Sequence, residues 1–329
     1  MLTDFYTGDK MGIRDFVESN FRHFNAGELK RCCESGLEFI ESGGKLFVTL
    51  AGAMSTAEIG RTLAPMIRAG KIWGISSTGA NLEEDIFKLV ALNSYKSVSN
   101  WRDISAEDDA IFAKNGLNRV TDTCIPEHEA IRKIETHLES IWQGLESRKE
   151  RNFPHEVMYS LVKSESFKSI CEGELENSWV YAAAVADIPI IVPGWEDSTI
   201  GNIFAACCID GRISNQNIIK NGIEYMIYLS NLYTNSNEKI GFFQIGGGIA
   251  GDFPICVVPM INQDLGLSAP LWSWFAQVSE ATTSYGGYSG APPQEKISWG
   301  KLASSTPRFM IESDATIVAP IFFSYLLNL

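Results

Sequence analysis

The sequence has no Cys-x-x-Cys pair, no Gly-x-Gly-x-x-Gly, no basic excess and no apolar run long enough to cross a bilayer. Its seven cysteines, Cys32, Cys33, Cys124, Cys171, Cys207, Cys208 and Cys256, are odd in number and include two adjacent pairs. That argues against a disulfide framework or a zinc site and for buried thiols in a reducing compartment. The four histidines, His23, His128, His137 and His155, lie in the first half without metal-ligand spacing, so no metal is expected. With 27 basic and 40 acidic residues the net charge is −13, a field that repels phosphates and opposes nucleic-acid or anionic-membrane binding. The most apolar tail, "ATIVAPIFFSYLLNL", is interrupted by Pro320 and falls short of the ~20 residues of a membrane span. It reads as a packed terminal helix. The N-terminal "MLTDFYTGDKMG" is polar, without the apolar centre of a signal peptide. A soluble, cytoplasmic protein is expected.

What is present is a substantial core. Hydrophobic residues make up 45% of 329, enough for one large α/β domain or two ordinary ones. The charged "ESRKERNFP" reads as a loop inside one domain, so a single domain over 1–329 is expected, with a helical N-terminal segment over 1–42. Residues 13–41 carry apolar positions at helical spacing, with a break near "NAGE". "KLFVTLAG" and "KIWGISSTG" read as buried strands. "STAEIGRTLAPMIRAG" opens with Ser55 and Glu58 spaced as a capping box, and "NLEEDIFKLVAL" reads as a helix capped by Asn81. Residues 105–185 read as mostly helical. "IPIIVPG", "KIGFFQIGGG" and "LWSWFAQVS" then supply further strands between helices. The alternation predicts a Rossmann-like, doubly wound α/β fold with a mainly parallel sheet and helices on both faces.

Open α/β sheets bind ligands where strands end and helices begin. Four such turns are rich in glycine, hydroxyls and acids: "LAGAMSTAE", "SSTGANLEED", "VPGWEDSTIGN" and "QIGGGIAGD". The triplet Gly246, Gly247, Gly248 lets a backbone approach a pyrophosphate at a helix N-terminus, or simply makes a tight turn. Glu83 and Glu84 complement a helix dipole or face the ligand crevice. Asp197 caps a helix or accepts ribose hydroxyls. In "EKISWGKL", Lys301 follows Trp299 and Gly300. A lysine reacts with carbonyl carbon only as the free amine, and burial against an indole favours that form. The four residues "SWGK" also suit a surface lysine whose stem lies along the ring.

Taken in order, "STGANLEEDI", "NGLNRVTDTCIPEHE", "VPGWEDSTIGNIF", "QIGGGI", "GGYSGAPPQEKISWGK" and "ESDATIVAP" resemble the deoxyhypusine synthase family from about residue 45 onward. The resemblance implies an NAD-binding fold assembled as a homotetramer, with active sites across subunit interfaces. It implies a transferase: NAD takes hydride from a polyamine such as spermidine, and a lysine captures the aminobutyl fragment as a Schiff base. The fragment then passes to an acceptor amine and is reduced. By this resemblance the nucleophile falls on Lys301, and substrate contacts fall on Glu83, Glu84, Gly247, Glu295 and Trp299. NAD contacts fall on Gly52, Ala53, Met54, Ser55, Thr56, Ser77, Thr78, Gly79, Glu84, Asp197, Gly246, Gly248, Asp314 and Ala315. Three positions depart from the family pattern: Asp252 stands for a histidine, and Asn202 and Tyr288 stand for aspartates. The changed amine shell implies a free diamine or agmatine-like acceptor, as in homospermidine-forming relatives. The alternatives are a translation-factor lysine as acceptor, or a non-catalytic NAD-binding scaffold.

Overall fold

The computed structural model describes residues 12–328. The polar stretch over 1–11 lies outside the described residues. Six strands form one parallel sheet: β1 (Lys45–Leu50), β2 (Ile72–Ser77), β6 (Ile190–Ile191), β7 (Ile240–Ile245), β8 (Trp274–Val278) and β9 (Arg308–Ile311). Their order is β6-β2-β1-β7-β8-β9, with helices on both sides. The three remaining strands, β3 (Lys96–Ser97), β4 (Leu117–Val120) and β5 (Thr123–Pro126), make a small antiparallel sheet in the order β3-β5-β4. No described helix is long and apolar enough to cross a membrane.

Both faces of the parallel sheet are covered because successive strand residues on both faces are apolar. On β7, Phe242 stacks between Phe47 of β1 and Phe275 of β8, with ring centres 5.6 and 6.0 Å apart. Its neighbour Phe243 points to the other face and stacks on Phe322 of the terminal helix Ala315–Leu327 at 4.4 Å.

Two residues further along each strand, the first of these faces becomes polar. Ser76, Thr49, Gln244 and Gln277 stand in register across β2, β1, β7 and β8, and all four are fully buried. This row lies near the carboxyl ends of the strands, the edge at which open parallel sheets hold ligands.

Several local expectations change. The N-terminal helices are Ile13–Asn20 and Phe24–Glu41, so the break precedes "NAGE" rather than falling on it. Ser55 is not a helix cap. Helix Gly60–Arg68 starts later, and Ser55 instead accepts Trp179 Nε1–H at 3.0 Å and donates to Asn81 O at 2.6 Å. Asn81 lies inside helix Gly79–Ala91, whose cap is Thr78. The Asn81 side chain ties that helix to the turn after β1, accepting Ser55 N–H and donating to Gly52 O, both at 2.8 Å. The region expected to be mostly helical contains β4 and β5, a hairpin whose short strands the helical reading passed over.

Candidate functional site

The polar row carries the loop that precedes Lys301. Gln244 accepts the Tyr288 hydroxyl at 2.9 Å, and its amide nitrogen donates to Gly246 O. Gln277 donates to Ser289 O and presents its oxygen to Lys296 Nζ at 3.5 Å. Two glutamines buried in the sheet thus fix residues 288–296 from below. Buried amides have strong hydrogen-bonding needs, so this anchoring is specific.

A cavity of about 550 Å³ opens above these ties, walled by Asp252, Cys256, Tyr288, Glu295, Lys296, Trp299 and Lys301 among others. Lys301 is only 5% exposed, and its Nζ lies 3.1 Å from Asp252 Oδ1. Trp299 is 66% exposed, with its ring centre 5.9 Å from that Nζ. The largely exposed indole thus stands beside Lys301 without enclosing it. Tyr288 presents its ring to Lys301 as well, at 5.6 Å. Glu295 and Trp299 stand exposed at the mouth, whereas both lysines are buried.

Lys296 is the residue that sequence reasoning missed. The short helix Glu295–Ser298 turns Glu295 outward and Lys296 inward, leaving Lys296 2% exposed. Its Nζ lies 4.9 Å from the Tyr288 ring centre and 5.0 Å from that of Phe275. Burial, and then the Lys301 charge, push its amine down to about 8. It stands five residues before Lys301 in the same "EKISWGK", but its identity alone does not reveal its burial.

A second cavity, of about 710 Å³, lies at the carboxyl ends of β1, β7 and β8. Gly52, Ala53, Met54, Thr78, Gly246, Gly247, Gly248, Asp314 and Ala315 all line it. Gly246 has φ +70°, a left-handed turn that frees the backbone to lead into helix Gly248–Ile255. The glycine turn, the helix N-terminus and the volume fit a dinucleotide. Asp314 caps the terminal helix, accepting Thr316 N–H at 2.8 Å. Gly79 packs on Ser198 at the start of its helix. Ser77 is buried with its hydroxyl unpartnered. Asp197 is exposed and lines neither cavity; the cap beside it is Ser198, which accepts Gly201 N–H at 2.9 Å.

Glu83, Glu84 and Asn202 line a third cavity, of about 580 Å³. Within one chain these residues are not brought to Lys301. Glu84 accepts the Thr56 hydroxyl. Both Glu83 oxygens accept the first N–H groups of helix Thr199–Ile209, from Thr199 at 2.9 Å and Ile200 at 2.7 Å. Asp85, two positions beyond Glu83, serves helix Trp179–Ala186 through one oxygen, which accepts Val180 N–H at 3.2 Å and the Ser178 hydroxyl. One buried helix thus uses two carboxylates to hold two helix N-termini.

Burial lifts Glu83 to about 7 and Asp85 to about 6. Between their ordinary values and these, the folded chain keeps protons that the unfolded chain has lost, so stability falls as pH rises through that window. The surface carboxylates paired with arginine, such as Asp210 with Arg212, are shifted downward and act only at lower pH. Buried His155, pushed down to about 3, works in the opposite direction below its ordinary value, so the Glu83 contribution is read as a difference: the stability of the wild type relative to Glu83→Gln should fall by roughly 2 kcal/mol between pH 5 and pH 8. Calorimetry of both proteins across this range checks it.

Comparison with known proteins bears on this arrangement. The sequence profile "DS: Deoxyhypusine synthase" matches residues 18–326. The chain belongs to the deoxyhypusine synthase family. A deoxyhypusine synthase-like protein of Thermosynechococcus vestitus is 27% identical over 326 residues, covering 97% of this chain and 79% of its own length. A protein named probable deoxyhypusine synthase 1, of Archaeoglobus fulgidus, is 27% identical over 317 residues, covering 95% and 92%. The solved structure of a candidate deoxyhypusine synthase from Entamoeba histolytica superposes with a TM-score of 0.59 at 12% identity, covering 97% of this chain and 93% of the other. That likeness establishes the fold. Among the described residues of this deoxyhypusine synthase family member, no group of three potential metal ligands comes together. His155 is buried against Tyr225 Oη at 3.0 Å and pushed down by burial to about 3, a neutral packing residue.

Proposed function

We propose that this protein is an NAD-dependent aminoalkyl transferase that works through an imine on Lys301. It takes an aminobutyl-type group from a spermidine-like polyamine and passes it to a small amine, a diamine or agmatine-like molecule. One observation carries the reading: in a deoxyhypusine synthase family chain, a buried lysine at the wall of a 550 Å³ cavity is paired with a single carboxylate, Asp252. A half-exposed carboxylate beside a buried amine suits proton exchange at Lys301 Nζ as the carbon–nitrogen bond forms and breaks.

Bound NAD would accept and later return the hydride. Gly246, Gly247, Gly248 and Thr78 would hold it beside Asp314 and Ala315. Tyr288 has its hydroxyl committed to Gln244 and so offers a ring, not an acid, to the substrate. That loss of charge supports an altered amine partner. Glu84 and Asn202 stand in a separate cavity, which supports a site completed by a second subunit of a homotetramer. The free cysteines accord with a cytoplasmic setting.

The test is reduction with borohydride in the presence of NAD and a panel of polyamines, followed by peptide mapping. A covalent adduct on Lys301 is expected. If no polyamine or agmatine-like donor leaves an adduct or yields NADH, the reading falls. Transfer of labelled spermidine carbon to a translation-factor lysine would instead favour a protein acceptor.

A further inference from the structure

Apart from Lys301, the titratable side chains that wall the amine cavity are Asp252, Cys256, Tyr288, Glu295 and Lys296. Four of these are already committed. Asp252 is paired with Lys301. The Cys256 thiol lies 3.7 Å from Asp252 Oδ1, and burial pushes it up, so it keeps its proton. Tyr288 donates its hydroxyl to Gln244, and burial raises it as well. Glu295 stands exposed at the mouth. Lys296 is buried, and its Nζ makes a single long hydrogen bond, to Gln277 Oε1 at 3.5 Å. Among the described residues no group donates a hydrogen bond to that nitrogen, and the rings of Phe275 and Tyr288 flank it.

A buried ammonium without an anion is costly, so this position weakens the hold of the nitrogen on its proton. The charged groups around it are Lys301, which acts in the same direction, and Glu295 and Asp252, which oppose it. Strand β8 contributes only the uncharged Phe275 and Gln277. A polyamine adds positive charge and shifts Lys296 further toward the free amine. The ammonium groups of the polyamine are then met by Asp252 and Glu295 toward solvent and by an uncharged amine inside. That amine carries a lone pair which no described residue occupies.

We propose that Lys296 is the proton acceptor of the amine cavity: as a free amine it takes the proton of the polyamine's reacting secondary ammonium. One N–H bond of the ligand breaks, one forms at Lys296 Nζ, and Lys296 becomes the ammonium. The ligand nitrogen regains its lone pair, which allows hydride to leave the adjacent carbon for NAD with both electrons of the C–H bond. When exchange at Lys301 releases the other fragment of the polyamine, Lys296 returns the proton to that departing amine. The proposal rests on the reading of this cavity as the amine site, and it assigns a proton transfer that the Lys301–Asp252 pair does not serve.

The first measurement needs no turnover. Lys296, pushed down only to about 8, is still mostly charged at pH 7, as is free spermidine. In the complex the two nitrogens hold one proton between them. Calorimetric titration of the NADH-loaded protein, which cannot oxidise the amine, is run with spermidine at pH 7 in two buffers of different ionisation enthalpy. The wild type should release about one proton per spermidine. Lys296→Met, which keeps the volume between the two rings, and Lys296→Gln should release almost none. The second measurement is the pH dependence of NADH formation from spermidine and NAD. Both variants should lose about 10²-fold or more at pH 8, with the acid limb of the profile displaced upward because the ligand must lose its proton unaided. Melting temperature and NADH affinity serve as controls.

No proton release from the wild type, or a release that survives in both variants, overturns the proposal. So does a rate that falls equally at every pH in both variants, since that marks a packing role. A wild type that forms NADH without releasing a proton on binding overturns this proposal alone. A wild type that forms no NADH at any pH, yet releases a Lys296-dependent proton, removes the transferase reading and leaves Lys296 as the proton acceptor for bound amines.

Discussion

Lys301→Ala should lower turnover by on the order of 10⁴-fold or more and abolish borohydride trapping, with little change in fold or NAD binding. The magnitude follows from covalent catalysis: without the amine, one difficult displacement is no longer divided into two easier ones. The small structural cost follows from the geometry. Lys301 is buried, but its partner Asp252 is half exposed, so the carboxylate left behind is solvated by water rather than stranded. Lys301→Arg separates charge from chemistry. The guanidinium can keep the pairing with Asp252 but cannot form an imine, so this variant should be as inactive as alanine. Partial rescue of Lys301→Ala by a small primary amine such as ethylamine would show that the missing group is a nucleophile. If Lys301→Arg retains more than a few per cent of activity, Lys301 acts through its charge, and the imine must be sought at Lys296.

The parallel sheet was legible because its signals are local. Runs such as "KLFVTL" and "IGFFQI" are apolar on both alternations, which only a sheet covered on both faces tolerates. The strand-end turns were legible for the same reason, since glycine and hydroxyl residues there answer to backbone geometry within a few residues. The floor of the amine cavity was not legible. It depends on Gln244 reaching Tyr288 and Gln277 reaching Lys296, contacts between a strand and a loop that no spacing announces. The capping roles moved for a related reason. Ser55 and Asn81 each fit a cap by local rule, yet a bond across 26 positions satisfied both together and left capping to Thr78. Glu83 and Glu84 looked like a matched pair because they are adjacent in sequence. On a helix adjacent residues face different ways, and the two carboxylates meet different partners: helix Thr199–Ile209 and Thr56.

Gly247→Ala should impair both cavities at once. A Cβ at this position would lie 2.2 Å from Ser289 Oγ and 2.9 Å from Ser289 Cα. The second contact is with backbone, so a rotamer change cannot relieve it. Ser289 is held from the other side, since Gln277 donates to its carbonyl, and it lies next to Tyr288 in the loop over Lys301. The loop must therefore lift as a unit, loosening the Tyr288–Gln244 bond and opening the inner wall at Lys296. Gly247 and Ser289 also line the 710 Å³ cavity, so the same displacement disturbs its wall. The expected cost is roughly 1–3 kcal/mol in stability, with NAD affinity and amine affinity each falling at least tenfold. Gly248→Ala is the control. Its Cβ would meet nothing within 4 Å, and the penalty there is confined to its φ of +57°. Titration with NAD and with amine, alongside urea unfolding, separates the two variants. Weakened NAD binding in Gly247→Ala with amine binding intact would show that the loop yields locally, and that Ser289 does not couple the two cavities.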